Sequence, residues 1–123
     1  MTKEQMKAEI IKMVGTLNHV SFAEITNKFP KENGHHFISA PGRPKTILWV
    51  GLSEKLSRAV VECLDEGSVV AASAPLLLYI IDGKTLGLPV AKTAKVYKKD
   101  HWLPVVLTAT TKKPNRQKRG VDP

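Results

Sequence analysis

The stretch from residue 51 to residue 81 constrains the fold most, because its pattern predicts a capped amphipathic helix followed by two apolar strands. Ser53 is a residue type that caps helix N-termini, and Glu54 suits the positive end of the helix dipole. Gly67 stands where a left-handed residue usually ends a helix. Between them, apolar residues recur at helical spacing along one stripe: Leu56, Ala59, Val60, Cys63 and Leu64. We therefore predict a helix between Ser53 and Gly67, the third of the chain.

The residues that follow this helix predict a three-stranded antiparallel meander. Residues 68–72 and 76–81 are rich in apolar side chains, and the second run is apolar on both faces, as in a strand that is covered on both sides. Asp82 and Gly83 together are a strong hairpin-turn signal. They lead to a third strand at residues 85–88. We expect this meander to pack on the helices.

The first thirty residues contain two capping boxes, in which a Ser or Thr and a Glu or Gln three residues later bind each other's backbone N–H groups. Thr2 and Gln5 begin the first helix, and Ser21 and Glu24 begin a second, shorter helix. Pro30 ends the second helix, because proline cannot continue the hydrogen-bonded ladder. The short stretch between the two helices predicts a strand.

Residues 31–46 are rich in glycine, proline and basic residues, and this composition predicts a long loop between the second and third helices. A loop of this length is either functional or mobile. Arg43 and Lys45 lie in it, where they can contact phosphates. His35 and His36 suggest a metal site, but adjacent side chains point apart in an extended chain. Because no Cys-x-x-Cys or His-x-x-x-His spacing stands nearby, we predict no metal.

Positive charge is concentrated towards the C-terminus. The net charge is +8, of which residues 1–91 contribute +1 (ten Lys and Arg against nine Asp and Glu) and residues 92–123 contribute +7 (nine against two). A basic block of this kind usually binds a polyanion, nucleic acid first and an acidic membrane or protein second. The alternative is a solubilising extension that binds nothing specific.

The chain length and the apolar fraction of 42% predict one globular domain, and the predicted helices and antiparallel meander make its class α+β. We place it at residues 1–109, with a core at 2–91 and an extension at 92–109 that ends in the apolar run W-L-P-V-V-L, of strand character. Residues 110–123 contain only Val121 as a bulky apolar residue, so they predict a disordered basic tail.

The sequence also argues against several classes of protein. No stretch approaches the roughly 20 apolar residues of a membrane span, and the charged N-terminus is unlike a signal peptide, so we expect a cytoplasmic protein without a membrane segment. Cys63 is the single cysteine and lies on the apolar stripe, which predicts a core residue. Since no carboxylate pair has motif spacing and no glycine-rich phosphate loop is present, we predict no catalytic residues, no enzyme activity and no cofactor.

The predicted order of helix, short strand, helix, helix, strand and strand resembles the winged-helix superfamily. The segment V-S-F-A-E-I-T-N-K-F is similar to its second helix, and G-L-S-E-K-L-S-R-A-V-V-E-C-L-D-E-G-S-V-V to its third helix and first wing strand. The resemblance implies duplex DNA binding, with Ser53, Lys55, Ser57 and Arg58 facing bases or phosphates. The long loop before the third helix departs from the family pattern, as does a wing tip at residues 71–75 without Lys or Arg.

Our leading hypothesis is a non-enzymatic protein that binds duplex DNA through its third helix and its basic C-terminal segment. The candidate contact residues are Lys55, Ser57, Arg58, Arg43, Lys45, Lys98, Lys99, Lys112, Lys113, Arg116, Lys118 and Arg119. Binding of this type weakens steeply with salt, because each neutralised phosphate releases counterions.

Two alternatives remain open. The first is a protein-interaction module, an adaptor or inhibitor, that uses the apolar hairpin, Val61 and the surface around Trp49 and Trp102. The second is binding of single-stranded DNA or RNA, with Trp49, Tyr79, Tyr97 or Trp102 as stacking platforms. A homodimer is consistent with a DNA-binding protein of this size.

Overall fold

The computed structural model describes residues 1–91 and 96–109, which form four helices and two three-stranded sheets. The α+β class predicted from the sequence is therefore confirmed. In chain order the elements are α1 (Lys3–Leu17), β1 (His19–Ser21), α2 (Phe22–Lys28), β2 (Asn33–Ala40), β3 (Arg43–Leu52), α3 (Glu54–Glu66), β4 (Val69–Ser73), α4 (Leu76–Ile81), β5 (His101–Trp102) and β6 (Val105–Ala109).

The first sheet has the strand order β1-β6-β4, and both of its strand pairs are antiparallel. In the middle strand, Leu107 lies opposite Val20 on one side and Ala71 on the other. The helices α1 and α3 pack against each other, and they contact β6 and β4 respectively. Because Leu107 and Val20 are fully buried together with the apolar faces of these helices, the core lies between this sheet and the helices.

The second sheet has the order β2-β3-β5. The strands β2 and β3 form an antiparallel hairpin, whereas β5 pairs with β3 in parallel, with Thr46 opposite His101 and Ile47 opposite Trp102. The final apolar run of the sequence is thus divided between the two sheets, since β5 joins this sheet and β6 joins the first. The strand character predicted for that run is confirmed.

The three predicted helices have the predicted caps. Both capping boxes are formed, and in the first of them the Thr2 hydroxyl accepts from the Gln5 N–H at 3.1 Å. The Ser53 hydroxyl accepts from the Leu56 N–H at 3.0 Å at the start of α3. Gly67 ends that helix in the left-handed conformation, with φ of 78°. These short-range hydrogen bonds set the ends of the helices independently of the rest of the fold.

The prediction of a loop at residues 31–46 is wrong, because most of these residues belong to the β2–β3 hairpin. Gly42, with φ of 71°, lies in the turn. Gly34 is required for a different reason, since a Cβ atom there would lie 2.8 Å from the carbonyl oxygen of Leu52 on β3. The first five residues of β2 are exposed, so the strand lacks the alternation of apolar and polar residues by which strands are predicted.

The prediction of a strand at residues 76–81 is also wrong, because this run forms the helix α4. Asp82 and Gly83 end that helix and do not form a hairpin turn, and residues 85–88 are not a strand. A six-residue apolar run does not distinguish helix from strand by periodicity. In the predicted meander this run would pair with β4, but in the structure β6 pairs with β4 instead.

Four aromatic side chains form the centre of the core. Trp49 stacks on Phe22 with a ring separation of 6.0 Å, and Tyr79 lies 5.2 Å from both Trp49 and Trp102. All four rings are buried. The use of Trp49, Tyr79 and Trp102 as stacking platforms, and of Trp49 and Trp102 as a contact surface, is therefore wrong, because these rings are not accessible to a partner.

Candidate functional site

The outward face of α3 is the surface that the sequence assigned to DNA. The structure buries Ser57, which is 7% exposed and donates to the backbone oxygen of Glu54 at 2.9 Å. Its placement on the outward face is wrong, since it lies at the border of the buried stripe. Lys55 donates to the carbonyl oxygen of Met1 at 2.8 Å, and Arg58 pairs with the Glu54 carboxylate at 2.8 Å. Both cations are thus engaged within the molecule.

Acidic residues of α3 bind lysines of α1. Lys7 contacts Glu66 at 2.6 Å and Glu62 at 3.1 Å, and Lys3 contacts Glu62 at 2.6 Å. The hydrogen bonds that Lys7 donates to Glu66 and then to Glu62 raise the pKa of Lys7, and the bonds that Glu62 accepts from Lys3 and Lys7 lower the pKa of Glu62. These ion pairs hold the two helices together.

A second group of predicted cations lies at the end of the β2–β3–β5 sheet. Arg43 and Lys45 begin β3, and Lys98 and Lys99 lie three and two residues before the start of β5. Because Thr46 lies opposite His101 in parallel register, these two pairs of residues are at the same end of the sheet although they are more than fifty positions apart in sequence. We call these four residues the cationic sheet end.

The environment of the cationic sheet end suits polyanion binding. Lys45, Lys98 and Lys99 are exposed and Arg43 is half-buried. The neighbouring strands β2 and β3 contain no Asp or Glu, and Asp100 is the acidic residue that lies level with Lys45. Beside Lys98 and Lys99, the ring of Tyr97 stacks on the ring of His101 at 3.8 Å. The result is an accessible group of positive charges at one end of the sheet.

The two groups of cations are separated by the length of β3. Its first eight residues, 43–50, span ~23 Å at about 3.3 Å per residue. Lys55 and Arg58 follow the far end of this strand, on α3. The residues predicted as one contact surface therefore form two, and the remaining predicted contacts lie outside the described residues: Lys112, Lys113, Arg116, Lys118 and Arg119.

An apolar groove of about 600 Å³ adjoins the cationic sheet end. Lys45 and Asp100 lie on its wall, and the rest of the lining is apolar. The lining residues are Phe37, Pro44, Lys45, Ile47, Val50, Leu86, Gly87, Leu88 and Asp100. Sequence reasoning missed this groove because it assigned Phe37 to a loop, and Leu86 and Leu88 to a strand.

The structure also bears on catalysis and membrane contact. Within residues 1–91 and 96–109, no group of three or more His, Cys, Asp or Glu side chains is placed to hold a metal ion. Burial raises the pKa of the Cys63 thiol to about 11, so this cysteine is a protonated core residue at neutral pH. Across the same ranges, the helices are too short or too polar to cross a bilayer.

Comparisons of this chain with known protein families, with curated proteins and with solved structures give no match. Functional inference therefore starts from the geometry of the described residues and from the charge of the whole chain.

Proposed function

We propose that this protein binds nucleic acid, with duplex DNA as the expected ligand, and that it is not an enzyme. In this proposal the contact surface is the cationic sheet end together with the basic C-terminal segment. The observation that carries the proposal is the parallel pairing of β3 with β5, which brings Arg43 and Lys45 to the same end of a sheet as Lys98 and Lys99. Clustered exposed cations with few carboxylates nearby attract the phosphate backbone.

A winged-helix relationship is part of this proposal. When the β2–β3 hairpin and residues 74–104 are set aside, the remaining elements run α1, β1, α2, α3, β4 and β6. This is the order of helix, strand, helix, helix, strand and strand that the sequence suggested, and its strands form one antiparallel sheet. In this interpretation the hairpin and residues 74–104 are two insertions, and the cations of the sheet end lie on both of them.

The proposal assigns α3 a minor part in binding. Lys55 and Arg58 already have partners in the protein, and Glu62 and Glu66 of the same helix are paired with lysines of α1. A phosphate that binds Lys55 or Arg58 would have to displace these existing partners. The cationic sheet end has no such cost, apart from the single charge of Asp100.

Fluorescence anisotropy on labelled duplex and single-stranded DNA across a salt series tests the proposal with full-length protein. Two matched double variants each remove one Arg and one Lys: Arg43→Ala/Lys45→Ala at the sheet end and Arg58→Ala/Lys55→Ala on α3. Each lost phosphate contact lowers the magnitude of the slope of log K against log salt by about 0.9. We expect the sheet-end variant to lose up to about 2 in this slope, and the α3 variant to behave like the wild type.

Two other results would contradict the proposal. If the α3 variant loses affinity and slope while the sheet-end variant does not, DNA contacts α3 and the assignment to the sheet end fails. If the wild type binds neither duplex nor single-stranded DNA at low salt, nucleic-acid binding is excluded. The hypothesis of a protein-interaction module then replaces it, with the apolar groove as its first candidate surface.

A further inference from the structure

The strand β4 is an edge of the first sheet, since the order β1-β6-β4 leaves it paired on one side among the described residues. After Val69, every residue of β4 is exposed, and Val70 is 45% exposed. An edge strand presents backbone N–H and C=O groups that an additional strand can pair with. Within residues 1–91 and 96–109, the other side of β4 is therefore unpaired and can accept a further strand.

The protection that natural proteins normally give to such an edge is missing here. Soluble proteins place charged residues, proline or bulges on edge strands so that they do not pair with another chain. The strand β4 has the sequence V-V-A-A-S, and its five pairs with β6 run in continuous register. Residues 67–81 contain no charged side chain at all, although the chain as a whole carries a net charge of +8.

The helix α4 adds apolar surface next to the end of this strand. It begins three residues after β4, and Tyr79 holds it there by donating to the carbonyl oxygen of Val105, the residue opposite Ser73. Tyr79 is the buried residue of the helix. Leu77 and Ile81 are 61% and 75% exposed, and Ile80 is also exposed.

We infer that β4 pairs antiparallel with β4 of a second copy of this chain, which joins two first sheets into one six-stranded sheet. A twofold axis through the middle of β4 lets the same strand serve both sides of the contact. The net charge of +8 on each copy opposes association, but contact through residues 67–81 brings no charged side chain together. An acidic partner protein, in contrast, would find no cation in this segment.

The small number of residues in the contact limits the affinity of the dimer. A standard interface uses about 20–30 residues from each partner. The strand β4 supplies five residues, and with α4 included the segment 69–81 supplies thirteen at most. We therefore expect a weak, concentration-dependent dimer with a dissociation constant in the micromolar range or above.

Sedimentation equilibrium over a wide range of protein concentrations tests this inference on the full chain, after nuclease treatment and in high salt so that bound nucleic acid does not link two copies. The test variant is Val70→Lys/Ala72→Lys, which adds two lysines to exposed positions of β4. The matched control is Val61→Lys/Val96→Lys, which adds the same charge at two exposed residues elsewhere. We expect the β4 variant to weaken dimerisation at least about tenfold through like-charge repulsion across the strand pair, and the control to dimerise as the wild type does.

Amide hydrogen exchange supplies a second measurement that does not depend on the folding of the variants. In the wild type, amides within residues 69–73 should exchange more slowly at dimer-forming concentrations than in dilute protein. The inference is overturned if the wild type is monomeric at every concentration, if the control variant weakens dimerisation as much as the β4 variant, or if protection of residues 69–73 does not change with concentration. Because nucleic acid is absent from both experiments, their outcome is independent of the proposed function.

Discussion

The phenol of Tyr79 donates a hydrogen bond to the carbonyl oxygen of Val105 at 2.7 Å and accepts one from the N–H of Phe22 at 2.9 Å. One side chain of α4 thus binds the start of α2 and the first residue of β6. Since Tyr79 is completely buried, both bonds lie in the core, and they explain how the six-residue helix α4 is held in place.

Substitution Tyr79→Phe should lower the free energy of unfolding by about 2–4 kcal/mol, because it leaves two buried backbone groups without a partner. Urea denaturation checks this value. Thr108→Val is the control, since its hydroxyl bonds an exposed carbonyl oxygen of Val70 at 3.3 Å. It should change stability by less than about 0.5 kcal/mol. Equal effects of the two substitutions would mean that α4 is not held by Tyr79.

The same burial makes stability depend on alkaline pH. Desolvation raises the pKa of Tyr79 from 10.0 to about 12, so the folded protein holds this proton more tightly than the unfolded chain. The associated stability is fully present below pH 10 and is lost as the pH rises towards 12. Between pH 9 and 12, the free energy of unfolding should therefore decrease more steeply with pH for the wild type than for Tyr79→Phe. Parallel decreases in the two proteins would contradict the raised pKa of Tyr79. Deprotonation of lysines affects both proteins and cancels in the comparison.

The sequence predicted those elements whose signals are local. The pairs Thr2 with Gln5 and Ser21 with Glu24 form hydrogen bonds within three residues, so the helix starts could be predicted without knowledge of the rest of the fold. The conformation of residues 76–81 could not, because a run of apolar residues suits either a helix or a strand. In the structure, Tyr79 of this run donates a hydrogen bond to Val105 of β6, a long-range contact that the sequence pattern does not encode.

The candidate site shows the same division. Each basic residue could be recognised in the sequence, but the grouping of Arg43 and Lys45 with Lys98 and Lys99 depends on the parallel pairing of β3 with β5. No local pattern encodes a pairing between segments so far apart in the chain. The burial of Ser57 was missed for a related reason, since the elements packed around α3 bury more of it than its own apolar stripe indicates.

Two glycines should respond in opposite directions to substitution by alanine. At Gly34 the new methyl group would lie 2.8 Å from the backbone oxygen of Leu52, so Gly34→Ala should destabilise the protein by about 1–3 kcal/mol. At Gly15, inside α1, the methyl group meets no atom within 4 Å, and Gly15→Ala should stabilise the helix by up to about 1 kcal/mol. Thermal unfolding of both variants checks the signs. A neutral Gly34→Ala would show that β2 does not cross β3 this closely.

The ion pairs between α1 and α3 should make stability depend on acid pH. Bonds from Lys3 and Lys7 lower the pKa of Glu62 below its ordinary value of 4.5, so its contribution is present above pH 4.5 and is lost as the pH falls through the lowered pKa. Lys7→Met should lower the melting temperature at neutral pH, and the difference from the wild type should shrink in acid and in high salt. Lys12→Met, on the exposed side of the same helix, is the control. A difference that does not change with pH would point to lost packing of the Lys7 stem instead.

The basic tail should contribute to nucleic-acid binding through charge alone. Lys112→Ala/Lys113→Ala removes two of its cations, and Lys12→Ala/Lys31→Ala removes two exposed lysines of the domain. If the tail lies along the phosphate backbone, the first variant should lower the magnitude of the salt slope by up to about 2, with similar losses on different DNA sequences. The second variant should leave the slope near the wild-type value, because those lysines are not part of the proposed contact surface. Anisotropy titrations between about 50 and 200 mM salt measure both slopes over the range in which phosphate contacts change affinity most. Equal slopes for all three proteins would assign the tail a solubilising role and leave the cationic sheet end as the whole contact surface.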